Sequence, residues 1–239
     1  MTASPVDPAA KFDTWRAAEY AVQSRIALAG YDACHELTAC VLAASLGERA
    51  AARILVVGVG GTGQEIISLS TLRPSWRFVG VDPAPAMLQA AAGNLQAQGL
   101  LERTELVEGS VDDLPDEASF DAATLIGVLH HVPGDEAKQR LLASIARRLP
   151  SGAPLVLAGN HYRYAEQPFL LDVWAERWRQ QGATAQEVQA KLGKILQGAD
   201  PPASEEAVKQ LLEQGGFEPG QRFFQSLFWG AWVAHRSAI

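Results

Sequence analysis

The sequence has few cysteines and no long hydrophobic run, and both deficits limit what it can be. Only Cys34 and Cys40 occur among 239 residues. Six positions apart in a helical stretch, they lack metal-ligand spacing and are poorly placed for a disulfide, so we expect both to be small core residues. No segment approaches the length of a membrane span, and the first twelve residues lack the apolar region of a signal peptide. We therefore expect a cytoplasmic protein with no membrane partner.

Basic residues are also in deficit. The chain has 20 Lys and Arg against 27 Asp and Glu, a formal net charge of −7, and no Lys/Arg run typical of a nucleic-acid patch. Such a surface repels phosphate backbones on average, so we expect no nucleic-acid partner. The length and the 48% hydrophobic content fit one large α/β domain that buries a sizeable core.

Strands and helices alternate through the middle of the chain. A loose tail is predicted for residues 1–11, followed by apolar positions at helical spacing up to Leu46, with Gly30 dividing two helices. Beyond them, short apolar runs alternate with helical patterns, which indicates parallel strands with right-handed crossovers and helices on both faces of the sheet. Strands are predicted at 53–57, 76–81, 104–107, 120–126 and 154–158, with helices at about 63–72, 84–98 and 135–149.

The alternation of strands and helices ends after Gly159. Residues 160–200 carry helical patterns but no strand, and a helix over about 204–214 ends at two glycines. The last two predicted strands, near 221–227 and 229–234, have almost nothing between them. So tight a connection joins only antiparallel neighbours, which predicts an antiparallel strand pair at the end of the sheet.

A glycine loop, Gly58-Val59-Gly60-Gly61-Thr62-Gly63, lies between the first strand and the next helix. Glycines let a backbone turn sharply and approach a ligand closely, and the helix N-terminus offers free N–H groups. The second strand ends in Asp82, whose carboxylate can accept hydrogen bonds from both ribose hydroxyls of an adenosine. Both features suit NAD and S-adenosylmethionine equally. Their alternatives are a tight turn and a helix N-cap.

Three features disfavour a nicotinamide-dependent oxidoreductase, which is the alternative function from another class. No tyrosine has a lysine four residues later, so the Tyr-x-x-x-Lys pair of short-chain dehydrogenases is missing. There is no second domain to supply a hydride-acceptor site. The closing antiparallel strand pair is foreign to the ordinary dinucleotide fold.

Four segments resemble motifs of the class I S-adenosylmethionine-dependent methyltransferases. Residues 54–63 resemble motif I, 79–88 the D-x-S-x-x-M motif, and 120–132 the F-D…L-H-H-V segment, while 151–155 match the P-G-G turn only loosely. The resemblance implies a Rossmann-like seven-stranded, mostly parallel sheet with an antiparallel last strand. It also implies S-adenosyl-L-methionine as cofactor and methyl transfer as activity. The helical layout is loosely similar to carboxy-S-adenosylmethionine synthase-like proteins, which implies a homodimer.

With this resemblance, the chain divides into four parts of a single methyltransferase domain. These are an N-terminal helical cap (1–50), a cofactor-binding core (51–159), a helical lid insertion (160–200), and a C-terminal helix with the strand pair (201–239).

The resemblance assigns cofactor contacts residue by residue. Asp82 would bind the ribose, and Met87 would pack near the adenine. The remaining assigned residues lie at the same edge of the sheet. Gly58, Gly60 and Gly63 would line the methionine part, and Ser110 and Val111 would contact the adenine. Gly127 would lie beside the cofactor.

Three departures from the family pattern stand out. Motif I carries an acidic residue where this chain has Val56, the glycine loop holds one more residue than the usual G-x-G-x-G, and Ser110 replaces the usual aspartate. A neighbour such as Glu65 could compensate. The departures also leave open a catalytically inactive S-adenosylmethionine-binding protein.

Methyl transfer from a sulfonium is an in-line displacement, in which the protein mainly positions the reactants and excludes water. A general base is needed only if the acceptor must lose a proton. His131 and His161, which follow strands four and five, are the candidate bases, with structural histidines as the alternative. No cluster has metal-ligand spacing, so no metal is expected. For a small-molecule acceptor, the candidate contacts are the aromatics Tyr20, Tyr31, Tyr162 and Trp174, with ordinary core packing as the alternative.

Overall fold

The computed structural model describes residues 14–238, and the predicted loose tail of residues 1–11 lies outside them. Within that range the elements follow the predicted order, with strand ends shifted by one or two residues. The helices are α1 Thr14–Ala27, α2 Tyr31–Leu46, α3 Gln64–Leu72, α4 Pro85–Ala97, α5 Asp135–Arg147, α6 Pro168–Gln180, α7 Ala185–Gly198 and α8 Glu205–Gln214. The strands are β1 Arg53–Val57, β2 Arg77–Asp82, β3 Thr104–Glu108, β4 Ala122–Ile126, β5 Pro154–Asn160, β6 Gln221–Ser226 and β7 Trp229–His235.

The seven strands form one sheet in the order β3-β2-β1-β4-β5-β7-β6. Pairing is parallel from β3 to β5, whereas β7 runs antiparallel to both β5 and β6. Leu227 and Phe228 alone connect β6 to β7, and Leu227 takes a positive φ of 51° in that turn. The predicted fold class and the closing antiparallel pair are therefore confirmed.

Helices cover both faces of the sheet, so the central strands are buried on both sides. Because side chains alternate across a strand, Leu55 and Val57 of β1 join the core beneath α5 and α8, while Ile54 and Val56 join the core beneath α2, α3 and α4. Double-sided burial explains why these strands are continuous apolar runs. Among residues 14–238, no helix combines the length and apolar character needed to cross a bilayer.

The inserted helices α6 and α7 pack against α1. Their shared core contains Ile26, Trp174, Trp178 and Phe228. The indole Nε1 of Trp174 donates to the carbonyl of Ala27 at 2.8 Å, which fixes α6 to the end of α1. Helix α1 and the insertion thus pack on each other, whereas α2 packs on a face of the sheet.

The two cysteines both lie on α2, and the prediction for one of them is wrong. Cys34 is buried, but Cys40 is exposed, and both are free thiols. Six residues rotate a helix by about 600°, a net turn of about 240°, so the two side chains emerge on different faces. Only the face that carries Cys34 packs against the sheet.

Candidate functional site

The glycine loop lies where three parallel strands end. Val57 of β1 pairs with Val81 of β2 on one side and with Leu125 of β4 on the other. The backbone N–H groups of Gly58 and Val59 donate to the carbonyl of Val81 at 2.8 and 3.2 Å. This register places the loop between the ends of β2 and β4, at the edge of the sheet where α/β proteins bind ligands.

Gly58 allows the segment after β4 to approach the loop closely. A Cβ at this position would lie 2.2 Å from Cγ2 of Val128, and φ is +73°. No other residue type fits both conditions without displacing the backbone. The other glycines assigned to the cofactor also have positive φ, at Gly60, Gly63 and Gly127.

Asp82, the last residue of β2, is buried beside this loop and is held by two backbone donors. Its Oδ2 accepts from Gly60 N at 3.0 Å, and its Oδ1 accepts from Ala84 N at 2.9 Å. The second bond closes a turn ahead of α4, whose N-cap residue is Ala84, so the alternative in which Asp82 is the N-cap is wrong. Burial raises the pKa of Asp82, although both N–H groups act in the opposite direction. The carboxylate is therefore fixed in place, and each oxygen keeps a lone pair for a further donor.

The residues assigned to adenine occupy different surroundings. Met87 is buried, and its Sδ lies 3.2 Å from where a Cβ on Gly61 would be. Val111 is part of the core beneath α5. Ser110 is exposed, and both its backbone N and its hydroxyl donate to Oδ2 of Asp113, at 2.7 and 2.8 Å.

Asp113 was missed by the sequence reasoning. The signal was available, because Ser-x-x-Asp at 110–113 is a capping-box pattern. The two hydrogen bonds from Ser110 lower the pKa of Asp113. An ionised carboxylate thus stands beside the position where this chain lacks the usual aspartate.

Two tyrosines from the N-terminal helices contact the glycine loop. The hydroxyl of Tyr20 lies 3.0 Å from where a Cβ on Gly60 would be. The hydroxyl of Tyr31 is 3.0 Å from Oγ1 of Thr62, within hydrogen-bond distance. Burial raises the pKa of both phenols, and nearby acidic groups reinforce the shift, so both stay neutral. The N-terminal cap therefore closes over the loop.

A buried acid and a buried histidine lie behind the same loop. Glu65 is in the first turn of α3 and only 4% exposed, and His35 of α2 is 3% exposed. His35 Nε2 is 3.9 Å from Oε2 of Glu65, and its Nδ1 is 2.8 Å from the carbonyl of Tyr31. Burial raises the pKa of Glu65 to about 8 and lowers that of His35. No motif or spacing in the sequence pointed to His35.

The adjacent histidines after β4 differ in their surroundings. His130 is buried and meets Trp229 edge-on, with ring centroids 5.4 Å apart. His131 is only half-buried, and its ring centroid is 4.3 Å from that of His130. Burial, followed by the positive charges of His131 and Lys138, lowers the pKa of His130. Of the two, His131 has the solvent access that a base needs.

The residues that follow β5 are more deeply packed. His161 is fully buried, with Nδ1 2.9 Å from the carbonyl of Phe228 and its ring edge-on to Trp232. Burial lowers its pKa to about 4, so the imidazole is neutral at pH 7. Tyr162 is half-buried beside it, with ring centroids 4.1 Å apart. His161 and Trp174 thus belong to packed aromatic clusters and not to the contacts around the glycine loop.

The segment that carries His131 is fastened to the end of the insertion. Asp200 N donates to the carbonyl of His130 at 2.8 Å. Its Oδ2 accepts from Gly134 N at 2.7 Å and from Nζ of Lys138, which is 1% exposed, at 2.8 Å. Partial burial opposes ionisation of Asp200, but these two donors outweigh it and lower the pKa.

In residues 14–238, no three His, Cys, Asp or Glu side chains gather to hold a metal ion, and a metal-free reaction stays a prediction.

Comparison with known proteins identifies one matching family, described as "Methyltransferase domain", over residues 54–152. Erythromycin 3''-O-methyltransferase of Saccharopolyspora erythraea is 34% identical over 107 residues, which are 44% of this chain and 35% of that protein. Carboxy-S-adenosyl-L-methionine synthase of Dichelobacter nodosus is 28% identical over 174 residues, covering 72% of this chain and 70% of that protein.

Solved structures share the fold. Human N-acetylserotonin methyltransferase, solved in complex with SAM (S-adenosylmethionine), has a TM-score of 0.57 at 17% identity, covering 87% of this chain and 55% of that one. This chain therefore spans about half of that protein and about a third of the erythromycin enzyme, so the likeness extends to the domain and not to either whole protein.

Proposed function

We propose that this chain, whose residues 54–152 match the methyltransferase-domain family, is a class I S-adenosylmethionine-dependent methyltransferase and that it transfers a methyl group from S-adenosyl-L-methionine to a small-molecule acceptor. The observation that carries the proposal is the placement of Asp82. Its carboxylate ends β2 and is tied to Gly60 of the glycine loop. A nucleoside bound at this edge would have its ribose hydroxyls beside a carboxylate that can accept hydrogen bonds from them. It could also approach the backbone of the loop closely, because the glycines carry no side chains.

The residues around the loop fit this cofactor. A Cβ on Gly58 or Gly60 would collide with Val128 or crowd Tyr20, so glycine at both positions is what lets these two side chains pack on the loop. When bound, the cofactor supplies the electrophilic methyl group and the leaving thioether. The chain's own contribution is to hold the ribose through Asp82, to cover the site with Tyr20 and Tyr31, and to exclude water.

We place the acceptor between the N-terminal cap and the insertion. A cavity of about 460 Å³ lies there, lined by Ile26 and Trp178 on its apolar side and by Lys191 and Lys194 on its charged side. Gln23, which also lines it, is one helical turn from Tyr20 on the same face of α1. Tyr20, Tyr31 and Tyr162 do not line this cavity. In this proposal they border the acceptor where it reaches toward the glycine loop, which Tyr20 and Tyr31 contact, whereas Trp174 supports the helices around the cavity.

A general base is required only if the acceptor loses a proton in the reaction. His131 is the first candidate, because it is half-buried and follows β4 at the ligand edge. His161 is the second, and its lowered pKa of about 4 makes it a weak base at pH 7.

A homodimer and a cytoplasmic location are also part of the proposal. Light scattering of the purified protein would test the homodimer.

The experiment must separate an enzyme from an inactive cofactor-binding protein. The purified chain is incubated with S-adenosylmethionine carrying a labelled methyl group and a small-molecule extract of bacterial cells. We expect label to enter extract molecules in the presence of the wild type, and far less with Asp82→Ala. If S-adenosylhomocysteine binds but no label leaves the cofactor, the inactive alternative is correct. The nicotinamide alternative requires binding of NADH, and the lack of a Tyr-x-x-x-Lys pair argues against it.

A further inference from the structure

Glu65 is a buried carboxyl group, and within residues 20–238 no lysine or arginine forms an ion pair with it. It is 4% exposed, it accepts a hydrogen bond from its own backbone N–H, and His35 Nε2 lies 3.9 Å from its Oε2, beyond ordinary hydrogen-bond distance. Burial lowers the pKa of His35, so that imidazole is neutral at pH 7. A buried carboxylate is costly unless a cation or several donors compensate for it. The position therefore suits a positively charged partner that no side chain described in residues 20–238 supplies.

Glu65 is coupled electrostatically to Tyr31 and Cys34 of α2, to Tyr20 of α1 and to Asp82 of β2, and His35 lies 3.9 Å away. Two of these groups contact the glycine loop directly, Tyr31 through Thr62 and Asp82 through Gly60. Glu65 itself is two residues beyond Gly63, the last residue of the loop. Val56, at the motif I position of the missing acid, turns its side chain into the core beneath α2 and offers no charge.

We propose that Glu65 binds the α-ammonium group of the cofactor's methionine part, and so supplies from α3 the charge that β1 lacks. The inference rests on the proposed function. The methionine part ends in one ammonium and one carboxylate, and the free N–H groups at the start of α3 suit the carboxylate. The ammonium then needs an anion within reach of the same loop, and Glu65 meets that need. Charge-assisted hydrogen bonds of this kind are about twice as strong as neutral ones.

The test compares two ligands that differ only at this end. S-adenosylhomocysteine carries the ammonium, whereas 5′-methylthioadenosine has the same nucleoside and sulfur without the amino-acid part. Calorimetry of the intact chain should show Glu65→Gln weakening the first at least tenfold and the second less than twofold. Glu65→Asp, with the same charge and a shorter reach, should lie between. Glu36→Gln, which removes an exposed carboxylate next to His35, should leave both affinities unchanged.

A pH series gives a second readout. Burial raises the pKa of free Glu65 to about 8, so binding an ammonium at pH 6 requires the carboxyl group to release its proton first. The affinity ratio of the two ligands should therefore rise from pH 6 to pH 8 in the wild type and stay flat in Glu65→Gln. Both ligands contact Asp82, so titration of Asp82 changes both affinities alike and cancels from the ratio of the two affinities.

Each outcome has one meaning. A selective loss for S-adenosylhomocysteine in Glu65→Gln supports the assignment. Equal losses for both ligands would show that Glu65 only maintains the loop, and no loss for either would show that it is not a ligand; both results overturn the inference while leaving the cofactor in place. If the wild type binds neither ligand, the proposed function fails and the inference fails with it.

Discussion

The side chains around the glycine loop are individually unusual, because most of them are polar and yet buried. Asp82, Glu65 and His35 are less than a tenth exposed. Burial shifts each pKa toward the neutral form. Groups whose pKa is shifted in this way cluster at functional sites, because a buried ionisable group can change its protonation state when a charged ligand binds.

The pH dependence of stability tests one buried group, His161. Its pKa is about 4 in the folded chain against 6.5 for an ordinary histidine, so below pH 6.5 the unfolded state binds a proton that the folded state rejects. This contribution is complete above pH 6.5 and is lost as the pH falls toward 4. Between pH 7 and pH 5 it should amount to about 2 kcal/mol.

Urea unfolding of the wild type and His161→Phe at both pH values measures this contribution. The variant should lose about 2 kcal/mol less than the wild type between pH 7 and pH 5. His130 also has a lowered pKa and remains in the variant, so some pH dependence should persist. Identical losses in the two proteins would mean that His161 is not the buried neutral group described above.

At the scale of elements, the strands were predicted well because the apolar pattern that indicates a buried strand lies within that strand's own residues. A parallel strand covered on both faces must be continuously apolar, and β1 and β4 show that pattern directly. What could not be predicted depends on partners distant in sequence. Strand β5 extends to Asn160 because Asn160 pairs with Trp229 of β7. The polar contacts of Tyr31 with Thr62 and of Lys138 with Asp200 join segments 31 and 62 positions apart, beyond the reach of periodicity.

The join between α7 and the β4–α5 segment determines how freely the proposed lid of residues 160–200 moves. Asp200 joins the end of the insertion to the backbone at His130 and Gly134 and to buried Lys138. Among the described residues, Asp200→Ala leaves that ammonium with the ion pair to Asp135, whose Oδ1 is 3.8 Å away. We expect a loss of about 2 kcal/mol in stability, the order of a lost charged hydrogen bond.

Hydrogen exchange should also become faster in two stretches of Asp200→Ala, residues 129–134 and 185–200. Asp172→Ala, an exposed carboxylate on α6, is the matched control and should change neither stretch. Unchanged exchange at residues 129–134 would show that Asp200 does not hold the His131 segment in place.

The whole molecule brings the ends of β1, β2 and β4 to one edge and covers that edge with a cap and an insertion packed on each other. The alternating strand and helix patterns and the tight C-terminal connection predicted this sheet, and the motifs in residues 54–132 predict its ligand edge. The cover was predicted only as helices, because the contacts between α1, α6 and α7 that define it come from aromatic packing across about 150 residues. The net charge of −7 is a property of the same scale and favours small ligands over nucleic acids.

The central claim is that this edge binds S-adenosylmethionine through Asp82, and one calorimetric titration tests it most directly. The wild type, Asp82→Ala and Glu108→Ala are each titrated with S-adenosylhomocysteine and with NADH. Glu108 is the matched control, because it pairs with Asp82 across the sheet but is exposed. We predict micromolar binding of S-adenosylhomocysteine to the wild type and to Glu108→Ala, no binding of NADH, and a loss of about 1.5–3 kcal/mol in Asp82→Ala. Binding of NADH, or an unchanged affinity in Asp82→Ala, would contradict the account.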